Sequence, residues 1–108
     1  MADLTVGSLF SGIGGLDLGL ERAGHRVVWQ SEIDPYACAV LARHWPDTPN
    51  LGDITKVDWS SVERPDVLTG GYPCPAFSQA ARGRNVAADL WPHMRTAIAC
   101  LRPRYVVL

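Results

Sequence analysis

The chain of 108 residues is 47% hydrophobic and 19% charged, the composition of a globular protein with one modest core and not of a disordered chain. Its formal charge of −1 gives no global attraction for nucleic acid, so any contact with DNA has to be local. Cysteines stand at 38, 74 and 100 without a CxxC pair, which argues against a disulfide scaffold and a zinc site and fits a reducing cytoplasm. No apolar run is long enough to span a bilayer, and Met1-Ala2-Asp3-Leu4 lacks the basic and apolar segments of a secretory signal.

Residues 4–10 form an apolar stretch that runs into Ser11-Gly12-Ile13-Gly14-Gly15, the pattern of a buried strand entering a tight turn. The helix expected next places Leu16, Leu20 and Ala23 on one face, with Gly24 where a left-handed C-terminal residue is wanted. Residues 26–31 read as the second strand. Asp34-Pro35 then supplies a cap and a first-turn proline for a helix whose stripe is Ala37, Val40, Leu41 and His44, stopped by Pro46. Residues 50–54 read as a short strand with a turn, and residues 57–62 carry no clear period. Residues 66–69 form a strand ending in Gly70-Gly71. Met94, Ala97, Ile98 and Leu101 mark a helix with Asp89 as its expected cap, and a last strand begins at Arg104. The alternation predicts an α/β fold with a parallel, Rossmann-like sheet covered by helices on both faces.

Ligands of such sheets bind beyond the carboxyl ends of the strands, and three features fall there. The glycine turn follows the first strand, where missing side chains let backbone approach a ligand. Glu32 follows the second strand, 20 residues after Gly12, about the spacing at which an acidic residue takes ribose hydroxyls. Asp53 follows the third and is placed to accept from an exocyclic amine. Gly12, Gly14 and Gly15 do not complete GxGxxG because position 17 is Asp, and no GK[ST] occurs. An ordinary βα turn beside two solvated carboxylates gives the same pattern. As a ligand site, it favours a nucleoside without pyrophosphate, with S-adenosylmethionine the leading candidate.

Cys74 follows the 66–69 strand and the glycine pair, between Pro73 and Pro75. Pro73 fixes its own φ, and Pro75 pushes Cys74 out of the helical region. A stiff loop centred on a thiol suits a positioned nucleophile, although free cysteines are commonly inert core residues. Cys38 and Cys100 lie within helical patterns and read as structural.

Phe10-Ser11-Gly12-Ile13-Gly14-Gly15, Ser31-Glu32-Ile33-Asp34, Gly52-Asp53-Ile54 and Gly71-Tyr72-Pro73-Cys74 occur in the order and spacing of the first four motifs of DNA (cytosine-5-)-methyltransferases. Leu90-Trp91 and residues 102–108 resemble the segments that come next, so the resemblance covers almost the whole chain. It implies that the Cys74 thiolate attacks C6 of a cytosine flipped out of double-stranded DNA, and that C5 then takes a methyl group from S-adenosylmethionine. It further implies that Phe10 packs on the adenine, Gly12, Ile13, Gly14 and Gly15 line the methionine part, and Glu32 holds the ribose. Asp53 takes the adenine amine, and Ile33, Ile54 and Leu90 complete the walls. Ser78, Arg82 and Arg84 fall where the family meets DNA, although Arg82-Gly83-Arg84-Asn85 also fits a solvated basic turn. His25, His44 and His93 match no family role, no metal is implied, and the tryptophans lack the spacing of a base-stacking platform.

The chain departs from the family in having Pro75 directly after Cys74, where glutamine is usual, and in a short 79–89 segment without Asp-x-Arg-Gly. The family's ring-contacting glutamate and its target-recognition region do not occur in these residues. The expected reading is therefore the N-terminal part, residues 1–108, of a bacterial or phage-type cytoplasmic catalytic domain, inactive by itself. The alternatives are a non-catalytic nucleoside-binding remnant, one chain of a split enzyme, or a nicotinamide-dependent oxidoreductase, the last disfavoured by the incomplete glycine pattern. The 108 residues alone should show no methyl transfer to DNA, because losing a general acid costs roughly 10²–10⁴-fold; turnover of radiolabelled methyl donor by this chain would contradict that expectation.

Overall fold

Short stretches of alternating apolar residues build four strands, β1 (Thr5–Leu9), β2 (Arg26–Ser31), β3 (Val67–Gly70) and β4 (Tyr105–Val107). In the computed structural model, which describes residues 3–71 and 86–108, they form one parallel sheet in the order β2-β1-β3-β4. Three helices, α1 (Gly15–Arg22), α2 (Pro35–His44) and α3 (Val86–Leu101), connect them. The chain steps outward from β1 to β2, then returns to the other side of β1 to lay down β3. Such a reversal opens a crevice between neighbouring strands at their carboxyl ends, the usual ligand position in an α/β sheet.

The two faces of the sheet differ in chemistry because successive side chains alternate. On one face Leu9, Trp29 and Leu68 pack against Met94, Ala97 and Leu101 of α3 and against Ile54 and Trp59. Trp29 stacks obliquely on Trp59 with ring centroids 5.8 Å apart, and its indole N–H donates to the Glu63 carbonyl at 2.9 Å. This satisfies the one polar atom of the largest buried side chain. On the opposite face Val6, Val27 and Val67 meet Leu4 and Leu20, a smaller apolar patch that gives way to polar side chains towards the strand ends.

Local chemistry sets most boundaries where the sequence predicts them. Asp34 Oδ2 accepts from the Ala37 N–H at 2.9 Å, with Pro35 in the first turn of α2, and Ala37 and Leu41 are its buried residues. Gly24, with φ +100°, follows the last turn of α1 as a left-handed terminator. Three expectations need correction, and one segment without a clear period gains an assignment. The inward residue of α1 is Asp17, while Leu16 is 44% exposed and Ala23 is exposed, so the helix is turned about one residue from the expected face. Asp89 lies inside α3, which begins at Val86, and so cannot cap it. Residues 50–54 contribute one parallel bridge, Gln30 to Asn50, and no strand. Residues 57–62 hold a 3₁₀ turn, Trp59–Ser61, capped by Asp58.

Gly14 shows why the turn before α1 requires glycine. Its φ is +90°, and a Cβ there would lie 2.5 Å from the Trp45 ring. Gly14→Ala should therefore lower stability by about 2–4 kcal/mol, from left-handed strain and overpacking together. A thermal melt within 1 °C of the wild type would contradict this account.

Candidate functional site

The carboxyl ends of β1, β2 and β3 meet at a cavity of about 330 Å³. Phe10 and Gly12 enter from the end of β1, Ser31, Glu32 and Ile33 from the end of β2, and Gly71 from the end of β3. Gly52, Asp53 and Ile54 close one side and Leu90 of α3 another. Seven of the ten residues expected at a cofactor thus share one cavity: Phe10, Gly12, Glu32, Ile33, Asp53, Ile54 and Leu90. Ile13, Gly14 and Gly15 do not line it. They border a separate depression with Leu18, Glu21, His44 and Trp45, because the turn directs their backbone towards α2.

Phe10 has φ +50°, a left-handed conformation that costs a non-glycine residue roughly 1–2 kcal/mol. It bends the chain out of β1 and into the cavity wall. Gly71 makes this possible: its N–H donates to the Leu9 carbonyl at 3.0 Å, and a Cβ on it would stand 2.6 Å from the Phe10 carbonyl oxygen. The ends of β1 and β3 can approach this closely only without a side chain at position 71.

Glu32 is held by backbone. Its Oε1 accepts from Gly12 N at 2.8 Å, and its Oε2 accepts from Ile33 N at 3.1 Å and Asp34 N at 3.0 Å. The carboxylate therefore fastens the glycine turn to the end of β2 while one edge faces the cavity. An ionised carboxylate offers about four acceptor positions, so three backbone bonds leave capacity for a ligand hydroxyl. Asp53 caps the 3₁₀ turn Ile54–Lys56, its Oδ1 accepting from Thr55 N at 2.9 Å and from Thr55 Oγ1 at 2.8 Å. The Thr55 N–H, followed by the Thr55 hydroxyl, holds its carboxyl below the usual aspartate range. Both of these bonds fall on Oδ1, so Oδ2 is left for a donor.

Asp17, seen in the sequence only as the residue that spoils GxGxxG, organises the turn from below. It is 1% exposed. Its Oδ1 accepts from Ser8 Oγ at 2.8 Å and its Oδ2 from Gln30 Nε2 at 2.8 Å. Ser8 Oγ also lies 2.8 Å from Ser11 Oγ, and Ser11 Oγ donates to the Ser8 carbonyl at 3.0 Å. Burial pushes the Asp17 carboxyl above the usual aspartate range, against the bonds from Gln30 and Ser8 that favour its charge. A buried acidic residue inside a helix was the available signal, since such a group needs polar partners from neighbouring strands. Ser31, Gly52 and Gly71 were the lining residues missed, each adjacent to or within a motif that was noticed.

Cys74, Ser78, Arg82 and Arg84 lie outside the described residues. Cys38 is half-buried in α2, donating to the Glu32 carbonyl at 3.1 Å, whereas Cys100 is exposed on α3 and is no core residue. Among the described residues no group of three His, Cys, Asp or Glu side chains could hold a metal, and no helix is long and apolar enough to cross a membrane.

Comparison with known proteins gives a consistent picture. A family model described as C-5 cytosine-specific DNA methylase matches residues 4–108. The chain is 45% identical over 80 residues to the type II methyltransferase M.Eco47II of Escherichia coli, covering 72% of this chain and 19% of that protein. It is 46% identical over 101 residues to M.PspPI of Psychrobacter, covering 89% and 24% respectively. A phage P1 protein named as a DNA N-6-adenine-methyltransferase is 46% identical over 84 residues, or 74% of this chain and 11% of that protein. So small a share of that protein does not carry its named adenine activity to the matched segment. A solved structure of a DNA modification methyltransferase encoded in an E. coli prophage superposes with a TM-score of 0.76 at 29% identity, covering 94% of this chain and 30% of the other. The chain thus spans about a tenth to a third of the length of these proteins.

The Asp17 carboxyl gives a pH signature. Its folded-state pKa is raised, so the folded chain holds the proton longer than the unfolded chain. The stability contributed by Asp17 therefore falls as pH rises from its unfolded value towards its folded one. Asp17→Asn removes this dependence. The variant's melting temperature relative to the wild type should rise as pH rises from the ordinary aspartate range through the higher folded-state value, and level off once the folded carboxyl has ionised. A difference that stays constant or falls over that range would contradict the assignment.

Proposed function

Because the chain belongs to the C-5 cytosine-specific DNA methylase family, we propose that the complete protein is a DNA (cytosine-5-)-methyltransferase using S-adenosylmethionine, and that residues 1–108 form the cofactor-binding first part of its catalytic domain. On this reading it acts on double-stranded DNA in the cytoplasm, with target recognition outside these residues. Relatives named as type II methyltransferases make restriction–modification the favoured setting.

One observation carries the proposal: the cavity joins two carboxylates, Glu32 and Asp53, to the apolar walls Phe10, Ile33, Ile54 and Leu90 at the carboxyl edge of the sheet. Its volume of about 330 Å³ lies within the ~300–1,000 Å³ of small-ligand sites. Apolar walls suit an adenine ring, Glu32 suits a ribose diol, and the free edge of Asp53 suits an exocyclic amine. A pyrophosphate fits poorly, because the Gly12 N–H it would need already donates to Glu32. The cofactor, when bound, supplies an electrophilic methyl group on a sulfonium.

Gly71, three positions before Cys74, lines the same cavity, which supports a nucleophile entering from its rim. The Cys74 thiolate would add to C6 of the flipped cytosine, and the electron pair released to C5 would form the new carbon–methyl bond as the methyl–sulfur bond of the donor breaks, its pair going to sulfur and leaving S-adenosylhomocysteine. Loss of the C5 proton then returns the pair to the ring and expels the thiolate. Ser78, Arg82 and Arg84 are assigned to the DNA side, where the two arginines neutralise phosphates.

Titration calorimetry tests the cofactor class. The chain should bind S-adenosylhomocysteine and not NAD, and Glu32→Ala should weaken binding by about tenfold or more, as expected for losing hydrogen bonds to a charged acceptor. Binding of NAD in preference to S-adenosylhomocysteine would overturn the assignment.

A further inference from the structure

We propose that Asn50, which does not line the cavity, is a positioning residue whose side-chain amide fixes the spacing between the Glu32 wall and the Gly52–Asp53 wall. The inference rests on the nucleoside reading of the cavity given above.

Those two walls come from separate segments joined by very little backbone. Gln30 N donates to the Pro49 carbonyl at 2.9 Å, and Leu51 N donates to the Gln30 carbonyl at 2.7 Å. There the parallel ladder stops. In a continuing strand the next bond would run from Glu32 N to the Leu51 carbonyl. Gly52, at φ +77°, turns the chain away first.

Asn50 supplies the missing acceptor. Its Oδ1 accepts from Glu32 N at 3.1 Å and from Gly52 N at 3.0 Å, so one oxygen ties the first residue beyond β2 to the residue before Asp53. Its Nδ2 donates to Cys38 Sγ at 3.3 Å, and that thiol donates to the Glu32 carbonyl at 3.1 Å. Ser31 Oγ adds a parallel tie to the Gly52 carbonyl at 2.7 Å. Both N–H and C=O of Glu32 are thus held by side chains, and the Asn50 amide is common to the two ties. A short polar side chain that bonds backbone two residues on is the usual device for fixing such a turn.

The geometry assigns the work to Oδ1 and makes the thiol link secondary. Asn50→Ala removes the acceptor. Asn50→Asp keeps an acceptor at the same reach, loses the donor to Cys38 and adds a negative charge. Cys38→Ala removes the thiol link alone. Two measurements on the chain read the outcome: amide hydrogen exchange at Glu32 and Gly52, and affinity for S-adenosylhomocysteine by calorimetry. Asn50→Ala should lose protection at both amides and bind about fivefold more weakly, the effect of roughly one neutral hydrogen bond. Asn50→Asp and Cys38→Ala should keep both properties within about twofold.

Unchanged protection in Asn50→Ala overturns the positioning role, as does wild-type affinity in a variant whose two amides have opened. Equal losses in Asn50→Asp and Asn50→Ala would overturn the assignment to Oδ1. A wild-type chain that binds no S-adenosylhomocysteine would instead overturn the nucleoside reading itself, and the positioning role with it.

Discussion

The placement of the residues at the carboxyl edge of the sheet depends on a carboxyl group buried under the glycine turn. Ser8 pairs with Gln30 on one side and with Thr69 on the other, so three polar side chains form a row across β2, β1 and β3. All three are buried, with Asp17 set against Ser8 and Gln30. A carboxylate this far from water is costly unless its lone pairs are filled, and the two bonds from β1 and β2 fill them only when α1 takes one rotation about its axis. That rotation leaves Leu16 and Leu18 outward and sets the first turn of α1 above the end of β1. Position 17 lies in the first helical turn, where a negative charge also meets the favourable end of the helix dipole. Polar registration, more than apolar area, therefore fixes this helix to the sheet. The Thr69 hydroxyl, the third member of the row, has no partner among the described residues.

From that base the constraints run upward in sequence. Ser8 bonds Ser11, Ser11 opens the glycine turn, and the Gly12 N–H at its apex reaches Glu32. Glu32 is in turn held by the N–H groups of Ile33 and Asp34, just before α2. A single hydrogen-bonded path thus joins the start of α1 to the start of α2 across the ends of β1 and β2. Carboxylates at both ends give it charge-assisted bonds, which are shorter and stronger than neutral ones. Pre-ordering of this kind lowers the entropy that a ligand must remove on binding. It also means that Glu32 acts on the cavity by holding its frame as well as through any contact with a ligand.

Much of this was legible in the sequence where local chemistry decides the outcome. Asp34-Pro35 marked the start of α2, Gly24 the end of α1, and the apolar runs marked β1, β2 and β3, because caps and strand patterns depend on near neighbours. The residues that share the cavity were legible for a different reason. Phe10, Gly12, Glu32 and Ile33 each follow a strand, and a parallel sheet gathers strand ends whatever their separation in sequence. What escaped depended on partners distant in the chain. The rotation of α1 is set by Ser8 and Gln30, which no helical periodicity reveals, and of the expected inner face only Leu20 packs on the sheet, while Leu16 and Ala23 are exposed. The 50–54 segment looks like a strand by composition, yet Gly52 turns it away after one bridge. Ile13, Gly14 and Gly15 belong to the motif but face α2, since only Gly12 stands at the apex that meets Glu32.

The charge of the cavity is the last consequence of this arrangement. Among the described residues its lining holds Glu32 and Asp53 and no lysine or arginine, and the Thr55 bonds hold the Asp53 carboxyl below the usual aspartate range. Two unit charges 4 Å apart interact by about 1 kcal/mol in water and about 4 kcal/mol at the effective dielectric near a protein surface. A ligand carrying a diphosphate would meet that as repulsion. One carrying a sulfonium and an ammonium group would meet it as attraction. The glycine turn strengthens the distinction, because the N–H that a phosphate would recruit is already committed to a carboxylate. An incomplete dinucleotide fingerprint is then more than the absence of a motif. Asp17 stands where the third glycine would be, and from there it fixes the turn that gives the Gly12 N–H to Glu32. One substitution in the pattern thus goes together with a Gly12 N–H that is committed to Glu32 and with the buried bonds that hold the turn in that position.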